Sequence, residues 1–184
     1  MTKFSVFLAL LIVIVAISLN GLFTMNEKQQ GLVLQFGEPK RVVQVSGLNF
    51  KIPLIQNVVK YDKRILEYDL PIEEVIAVDK KRMLIDSFTR FKITDPLEFY
   101  KTVGSESNVR NRLNSNVISS LRRIVGTVTL DELLSKDRSN IMIRIRDEVN
   151  NEASRFGIEI VDVRIRRADL PEANSQAIYE RMIS

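Results

Sequence analysis

The start of the chain is set apart by an apolar stretch that no charged residue interrupts. It runs from Phe4 to Phe23 and reads FSVFLALLIVIVAISLNGLF. At about 1.5 Å per residue, a helix of this length crosses the roughly 30 Å hydrocarbon core of a bilayer. We therefore predict a transmembrane anchor over residues 4–24, preceded by a short tail at residues 1–3.

A cleaved signal peptide is the alternative interpretation of this stretch. Its apolar region is normally only about 7–15 residues long and ends in a small-x-small cleavage site, which residues 18–21 match poorly. Lys3 and the α-amino group precede the span, and the first charges after it, Glu27 and Lys28, cancel. The positive-inside rule then keeps the N-terminus in the cytoplasm and places the following domain outside the cytoplasm.

Short runs rich in leucine and β-branched residues predict strands beyond the anchor. Gly31–Gly37 and Arg41–Val45 are separated by turn residues 37–40, which predicts a hairpin. Val75–Val78 and Met83–Ile93 are separated by a charged turn, and the second run alternates with a period of two. We expect one face of that strand to be buried. Its members are Met83, Ile85, Ser87, Thr89, Phe91 and Ile93.

The period becomes helical after Asp95 and Pro96, which suit the N-cap and first helical positions. An apolar stripe then ends at Gly126, and it consists of Val109, Leu113, Val117, Leu121 and Ile124. Thr129 and Glu132 form a capping box that opens a short helix. A third stripe ends at Gly157, and it consists of Ile141, Ile145, Val149, Ala153 and Phe156.

A last strand is predicted over Ile158–Ile165, where the apolar phase shifts between Ile160 and Val161 as a β-bulge would produce. Pro171 begins a final helix. The order of strands, helices, a strand and a helix predicts an α+β domain over residues 25–170, followed by the start of a C-terminal helix at 171–184.

The chain contains no His and no Cys. This excludes imidazole bases, thiol nucleophiles and the common zinc and haem ligands, so we expect no cofactor and no metal. A membrane-tethered hydrolase would have to use a Ser/Lys pair. Candidates such as Ser87 with Lys80 or Lys81, or Ser135 with Lys136, have no recognisable motif around them, so we predict no catalytic residues.

A formal net charge of +4 invites a role in binding anionic lipid or nucleic acid. The clearest basic cluster is Arg110, Arg112, Arg122 and Arg123 on the predicted amphipathic helix. The favoured interpretation is that these arginines solvate and ion-pair the polar flank of that helix. Outside the cytoplasm, nucleic acid is not an expected partner.

Three segments together carry a family resemblance. They are GLVLQFG at residues 31–37 with GLNFKIP at 47–53 and YDKR at 61–64, DKKRMLIDSFTRF at 79–91, and GIEIVDVRIRRADLPEANSQAIYERM at 157–182. These resemble the SPFH (band 7) family of stomatin, prohibitin, flotillin, HflK and HflC, most nearly its bacterial HflC branch. Ser46 and Asn49 depart from the family's PGLHFKIP-type segment. Family members also continue past residue 184 into a long helix.

The resemblance implies a non-enzymatic scaffold subunit in the bacterial inner membrane, with its main domain in the periplasm. Such a subunit would alternate with an HflK-like partner in a ring that regulates the membrane AAA+ protease FtsH and its access to membrane substrates. A homo-oligomeric, stomatin-like organiser of lipid microdomains is the alternative. We expect the partner interface in the terminal segment, at Arg164, Arg166, Arg167, Tyr179 and Arg181. Lipid contact is expected at Leu32, Leu34 and Phe36 of the hairpin near the membrane.

Overall fold

The computed structural model of the chain describes residues 21–135 and 138–169, which form two compact units divided between Arg64 and Ile65. The first unit contains the strands β1 (Leu22–Met25), β2 (Gln29–Gln35), β3 (Glu38–Val43), β4 (Gly47–Phe50) and β5 (Gln56–Asp62). The second contains β6 (Leu66–Asp69), β7 (Glu73–Ile76), β8 (Arg82–Ile93), α1 (Pro96–Thr102), α2 (Glu106–Val125), α3 (Leu130–Leu134), α4 (Arg138–Ala153), a 3₁₀ turn (Ser154–Phe156) and β9 (Ile158–Asp169). The predicted order of antiparallel strands, helices and a strand is confirmed within these residues.

In the first unit, β2 is the central strand of an antiparallel sheet with the order β3-β2-β5. The predicted hairpin is confirmed, but its turn is tighter than expected. Phe36 and Gly37, with φ of 51° and 87°, make the reversal alone, as the twist of a two-residue hairpin favours. Residues 38 and 39 belong to β3, where a bulge accompanies Pro39. A small core packs Val33 against Met25 and Val43.

The predicted position of the anchor's C-terminal end, at residue 24, is wrong. Leu22–Met25 is strand β1, paired antiparallel with β4 from Leu22 opposite Phe50 to Met25 opposite Gly47. The uncharged run could not show where the anchor ends, because the residues of a β-strand can be as free of charge as those of a membrane span. The rest of the predicted span, up to residue 20, lies outside the described residues. Among those described, no helix is both long and apolar enough to cross a bilayer.

In the second unit, the long strand β8 pairs with β6 and β7 along one edge and with β9 along the other. The predicted alternation is confirmed, since every second residue from Met83 to Ile93 is buried, including Ser87 and Thr89. Helix α4 packs on β9 and on α2. The apolar stripes of α2 and α4 thereby join the buried face of the sheet in one core.

The predicted helix caps are confirmed. The Asp95 carboxylate accepts hydrogen bonds from the backbone N–H groups of Leu97 and Glu98 at 2.8 and 3.2 Å, and Pro96 is the first helical residue. Thr129 and Glu132 make the reciprocal capping box. The helical region after Asp95 is nevertheless two helices, because Gly104, with φ of 77°, separates α1 from α2.

Strand β9 contains the predicted bulge and a second irregularity that the sequence did not reveal. Arg90 pairs with Asp162 and Phe91 with Ile160, which leaves Val161 as the extra residue. Further on, Asp86 pairs with Arg167 and Ser87 with Ile165, so that Arg166 is also extra. The strand therefore continues to Asp169, four residues beyond the predicted end. The helix expected from Pro171 lies outside the described residues.

Candidate interaction surfaces

The structure does not bring the Ser/Lys candidates together. Ser87 is 1% exposed on the core face of β8, whereas Lys80 and Lys81 lie in the turn before that strand. Lys81 precedes Ser87 by six residue steps, which span about 20 Å in extended chain. The Lys81 ammonium is 3.0 Å from the Asp79 carboxylate, and this hydrogen bond raises the pKa of Lys81. A general base needs its pKa lowered instead.

In the second candidate pair, the serine hydroxyl is not placed as a nucleophile. The Ser135 hydroxyl donates a hydrogen bond to the Glu132 carbonyl at 2.9 Å, at the end of α3. Lys136 lies outside the described residues. Within the described ranges, no group of three or more acidic side chains is placed to ligate a metal ion.

The arginines of α2 make contacts within the second unit. Arg122 pairs with Glu73 at 2.8 Å and Arg123 with Glu148 at 2.5 Å. The guanidinium of Arg112 lies 4.9 Å from the centre of the Phe156 ring, and that of Arg110 lies 5.9 Å from Tyr68. These contacts favour a structural role for the cluster, since guanidinium groups held on carboxylates and rings are less available for phosphates.

A charged and aromatic network covers the solvent face of the sheet in the second unit. We call it the polar sheet face and define it as Glu67, Asp69, Phe88, Arg90, Arg164 and Arg166. Arg90 pairs with Glu67 at 3.0 Å, and Arg166 pairs with both Asp69 and Glu67. Arg164 pairs with Asp162 at 2.6 Å. The face thus joins β6, β8 and β9 through half-exposed ion pairs, which are worth little singly but fix side-chain positions as a network.

The predicted interface residues occupy different environments within β9. Arg166 is held by two carboxylates on β6. Arg167 pairs locally, with Asp169, and its side chain is 76% exposed. Both lie inside the strand, not between the strand and the outgoing helix as predicted from sequence. Tyr179 and Arg181 lie outside the described residues.

The prediction of lipid contact is wrong for two of its three residues, Leu32 and Leu34. Leu32 is fully buried and Leu34 is 7% exposed, because they lie in the central strand of the first unit's sheet, where the intervening Val33 is buried as well. Phe36, at the hairpin turn, is 82% exposed. The sequence pattern treated all three alike because they fall on one face of an alternating run.

A second exposed apolar segment in the first unit was missed. Leu54 is 95% exposed at a positive φ of 69°, a left-handed conformation that costs a leucine about 1 kcal/mol. Its exposed apolar neighbours in the chain are Val45, Leu48, Phe50, Ile52 and Ile55. We call this set the 45–55 apolar segment. Large exposed apolar groups in a strained loop indicate a contact surface.

Comparison with known proteins identifies relatives along almost the whole chain. The family described as SPFH domain / Band 7 matches residues 23–184. Protein HflC of Haemophilus influenzae is 31% identical over 186 residues, which cover 95% of this chain and 63% of that protein. The Modulator of FtsH protease HflC of Escherichia coli is 25% identical, with coverages of 95% and 66%. An uncharacterized protein of Archaeoglobus fulgidus is 29% identical, with coverages of 90% and 64%. The chain spans less than two thirds of the length of each of these relatives.

Proposed function

The chain belongs to the SPFH domain / Band 7 family, and on that premise we propose that it is an HflC-like, non-enzymatic scaffold subunit of a membrane-seated ring. An HflK-like SPFH protein is the proposed neighbour in that ring. The proposed task is regulation of an FtsH-type AAA+ protease and of its access to membrane substrates. The observation that carries this proposal is similarity over 95% of the chain to a protein named as a modulator of FtsH protease.

The surfaces of the second unit support a scaffold more than an enzyme. Ser87 is buried, and its candidate lysines lie at the far end of a strand. The polar sheet face holds arginines and carboxylates in fixed positions. Such an interspersed pattern sets register and partner choice between protein surfaces, because like charges placed opposite each other are penalised. Replacing Ser87 with Ala should therefore leave protease regulation intact in a folded protein.

We also propose that the chain is a single-pass protein of the inner membrane, with residues 4 to about 20 as its span. Its N-terminus would be cytoplasmic and the two units periplasmic. In this arrangement the lipid-contacting groups are Phe36 and the 45–55 apolar segment, in place of Leu32 and Leu34. The support is the uncharged run at the start of the chain and the exposure of large apolar side chains in the first unit.

Crosslinking in native membranes, followed by identification of the captured chains by mass spectrometry, tests the function. An HflK-like protein and an FtsH-type protease should both be captured. Capture of copies of this chain alone would favour the stomatin-like organiser instead. Capture of neither partner would contradict the proposal.

A charge reversal at Arg167 tests the proposed partner interface. Arg167→Glu should weaken capture of the HflK-like chain, most strongly at low salt. Arg155→Glu is the matched control, because Arg155 is also exposed, at 73%, and also pairs with a nearby acid, Glu152. Arg166 is a poorer choice, since a glutamate there would face Glu67 and Asp69 and disturb the unit itself. Equal capture with both variants would remove Arg167 from the interface.

A further inference from the structure

The solvent face of the sheet in the second unit becomes apolar toward the start of β8. Val75 and Ala77 are buried, whereas Ile76 between them is 54% exposed. An even spacing from Ile76 puts Ile72 and Val78 in the same exposed phase. The large exposed apolar side chains of this region, which we call the β7 apolar patch, are Ile72, Ile76, Val78 and Leu84. A group of such side chains on one face indicates a surface that another segment covers.

The strand register places Ile76 and Leu84 on the same face of the sheet. In the antiparallel ladder, Ile76 lies opposite Arg82, and Glu74 lies opposite Leu84. Directly paired residues project to one face, and Arg82 and Leu84 are two positions apart in β8. Ile76 and Leu84 are therefore diagonal neighbours, at a distance of about 7–8 Å, so that one apolar segment can contact both.

Strand β9 brings the chain to this patch from the other edge of β8. Asp169, the last residue of β9, lies opposite Leu84. Because β9 is antiparallel to β8, it approaches the start of β8 at this point. Pro171 has no backbone N–H with which to extend the ladder. We therefore expect residues 170–184 to leave the sheet beside Leu84, two strand spacings or about 10 Å from β7.

Residues 170–184 have the length and the apolar pattern of a segment that covers such a patch. A helix that begins at Pro171 is about 18 Å long by Met182, which exceeds the distance from β9 to β7. The apolar side chains on one side of this helix would be those of Pro171, Ile178, Tyr179, Met182 and Ile183. The opposite side would carry Ala177, Glu180, Arg181 and Ser184.

We propose that residues 170–184 form a helix that lies across the β7 apolar patch of the same chain. The side that carries Ile178 and Met182 covers Ile76 and Leu84, which removes apolar surface from water on both partners. The occupant is this segment because its attachment to the end of β9 gives it an effective concentration of about millimolar at the patch. The contact fixes the direction in which the chain leaves the second unit, and it does not depend on the proposed function.

Thiol labelling of the full chain in liposomes tests this proposal, because the chain contains no Cys. Ile76→Cys provides a thiol in the patch, and mass spectrometry follows its reaction with N-ethylmaleimide. Adding Ile178→Asp and Met182→Asp should speed the reaction at least about tenfold, because carboxylates do not stay on an apolar surface and the reagent reaches the thiol when the segment moves away. Ala177→Asp with Ser184→Asp, on the opposite side of the helix, should leave the rate unchanged.

Ile143→Cys is the control for position, because Ile143 is 45% exposed on α4 and should not respond to either pair of substitutions. An unchanged rate at Ile76→Cys after Ile178→Asp and Met182→Asp would overturn the proposal, because the segment would not cover the patch. Equal acceleration by the two pairs of substitutions would also overturn it. Protection that returns when the faster variant is reconstituted with an excess of the Cys-free wild type would assign the covering segment to a second copy instead.

Discussion

The guanidinium of Arg166 lies 4.9 Å from the centre of the Phe88 ring, and Arg90 lies 5.4 Å from the same ring. Arg166 is the extra residue of the second irregularity in β9. A bulge changes the direction in which the extra residue's side chain points, compared with a regular strand. Here the bulge accompanies a contact between Arg166 and acids on β6, two strands away. The same residue that sequence reasoning placed in a partner interface thus stabilises the sheet of its own unit.

Replacing Phe88 should show the contribution of this aromatic contact. Phe88→Leu removes the ring and should lower the free energy of unfolding by about 1 kcal/mol, because each exposed cation–π contact contributes about 0.5–1 kcal/mol. Phe88→Tyr keeps the ring and should cost less. Urea denaturation of the three proteins measures the difference. An equal loss of unfolding free energy in Phe88→Leu and Phe88→Tyr would mean that the contacts of the arginines with the ring face do not contribute to stability.

Gly157 should tolerate substitution much less well than Gly37. Both have positive φ, of 70° and 87°, which costs an alanine about 1–2 kcal/mol. A Cβ at Gly157 would also collide with the Asp95 carbonyl and lie 3.0 Å from the Phe99 nitrogen, whereas one at Gly37 would meet no atom within 4 Å. Gly157→Ala should therefore lower the unfolding temperature clearly more than Gly37→Ala in calorimetry. Similar shifts would contradict the close packing of Gly157 against the start of α1.

Stability should fall at acid pH partly through Asp62. The Arg64 guanidinium donates hydrogen bonds to the Asp62 carboxylate at 2.7 and 3.1 Å, which lowers the pKa of Asp62. A depressed pKa in the folded state means that the stabilisation is present above the unfolded value of about 3.9 and is lost as the pH falls below it. Asp62→Asn and Arg64→Gln should therefore both lose less stability than the wild type when the pH falls from about 5 to about 3. Urea denaturation at the two pH values measures this loss. A wild-type slope in either variant would contradict this pairing.

Single tryptophans can report lipid contact, because the chain contains no Trp. Leu54→Trp and Phe36→Trp, placed in nanodiscs, should be quenched by brominated lipid, since indole rings partition to the membrane interface. Ile72→Trp is the control, because Ile72 is 64% exposed but belongs to the second unit. Equal quenching at all three positions, or at none, would contradict a specific lipid contact by the first unit.

The proposed topology predicts two results for the full chain. The protein should keep its N-terminal residues and resist carbonate extraction, because residues 4 to about 20 remain in the bilayer. A reporter that is active only outside the cytoplasm should be active after Ser184, because Lys3 and the α-amino group hold the N-terminus inside. An N-terminus near Gly21 would identify a cleaved signal peptide, and activity of a cytoplasm-only reporter would reverse the orientation.

The sequence alone determined the features that depend on local chemistry. The N-cap at Asp95, the capping box at Thr129 and the left-handed Gly157 follow from which side chains can satisfy or replace backbone groups. The bulge at Val161 was visible because an extra residue shifts the period of buried positions. The family was recognisable because its motifs occupy consecutive residues.

Only the tertiary structure decided the features that depend on neighbours distant in sequence. Leu32 and Phe36 share one phase of the alternating sequence, yet only the first is buried, because flanking strands and packing cover the middle of β2 and leave the turn that contains Phe36 open. Leu22 and Phe23 were assigned to lipid because a sheet partner, β4, cannot be read from local apolarity. Arg166 and Arg167 are adjacent and chemically identical. The bulge in β9 nevertheless accompanies a contact between Arg166 and two carboxylates on β6, while Arg167 pairs with Asp169 in its own strand. Hydrophobicity and charge are properties of a residue, whereas exposure and pairing are properties of the surface that the whole fold builds around it.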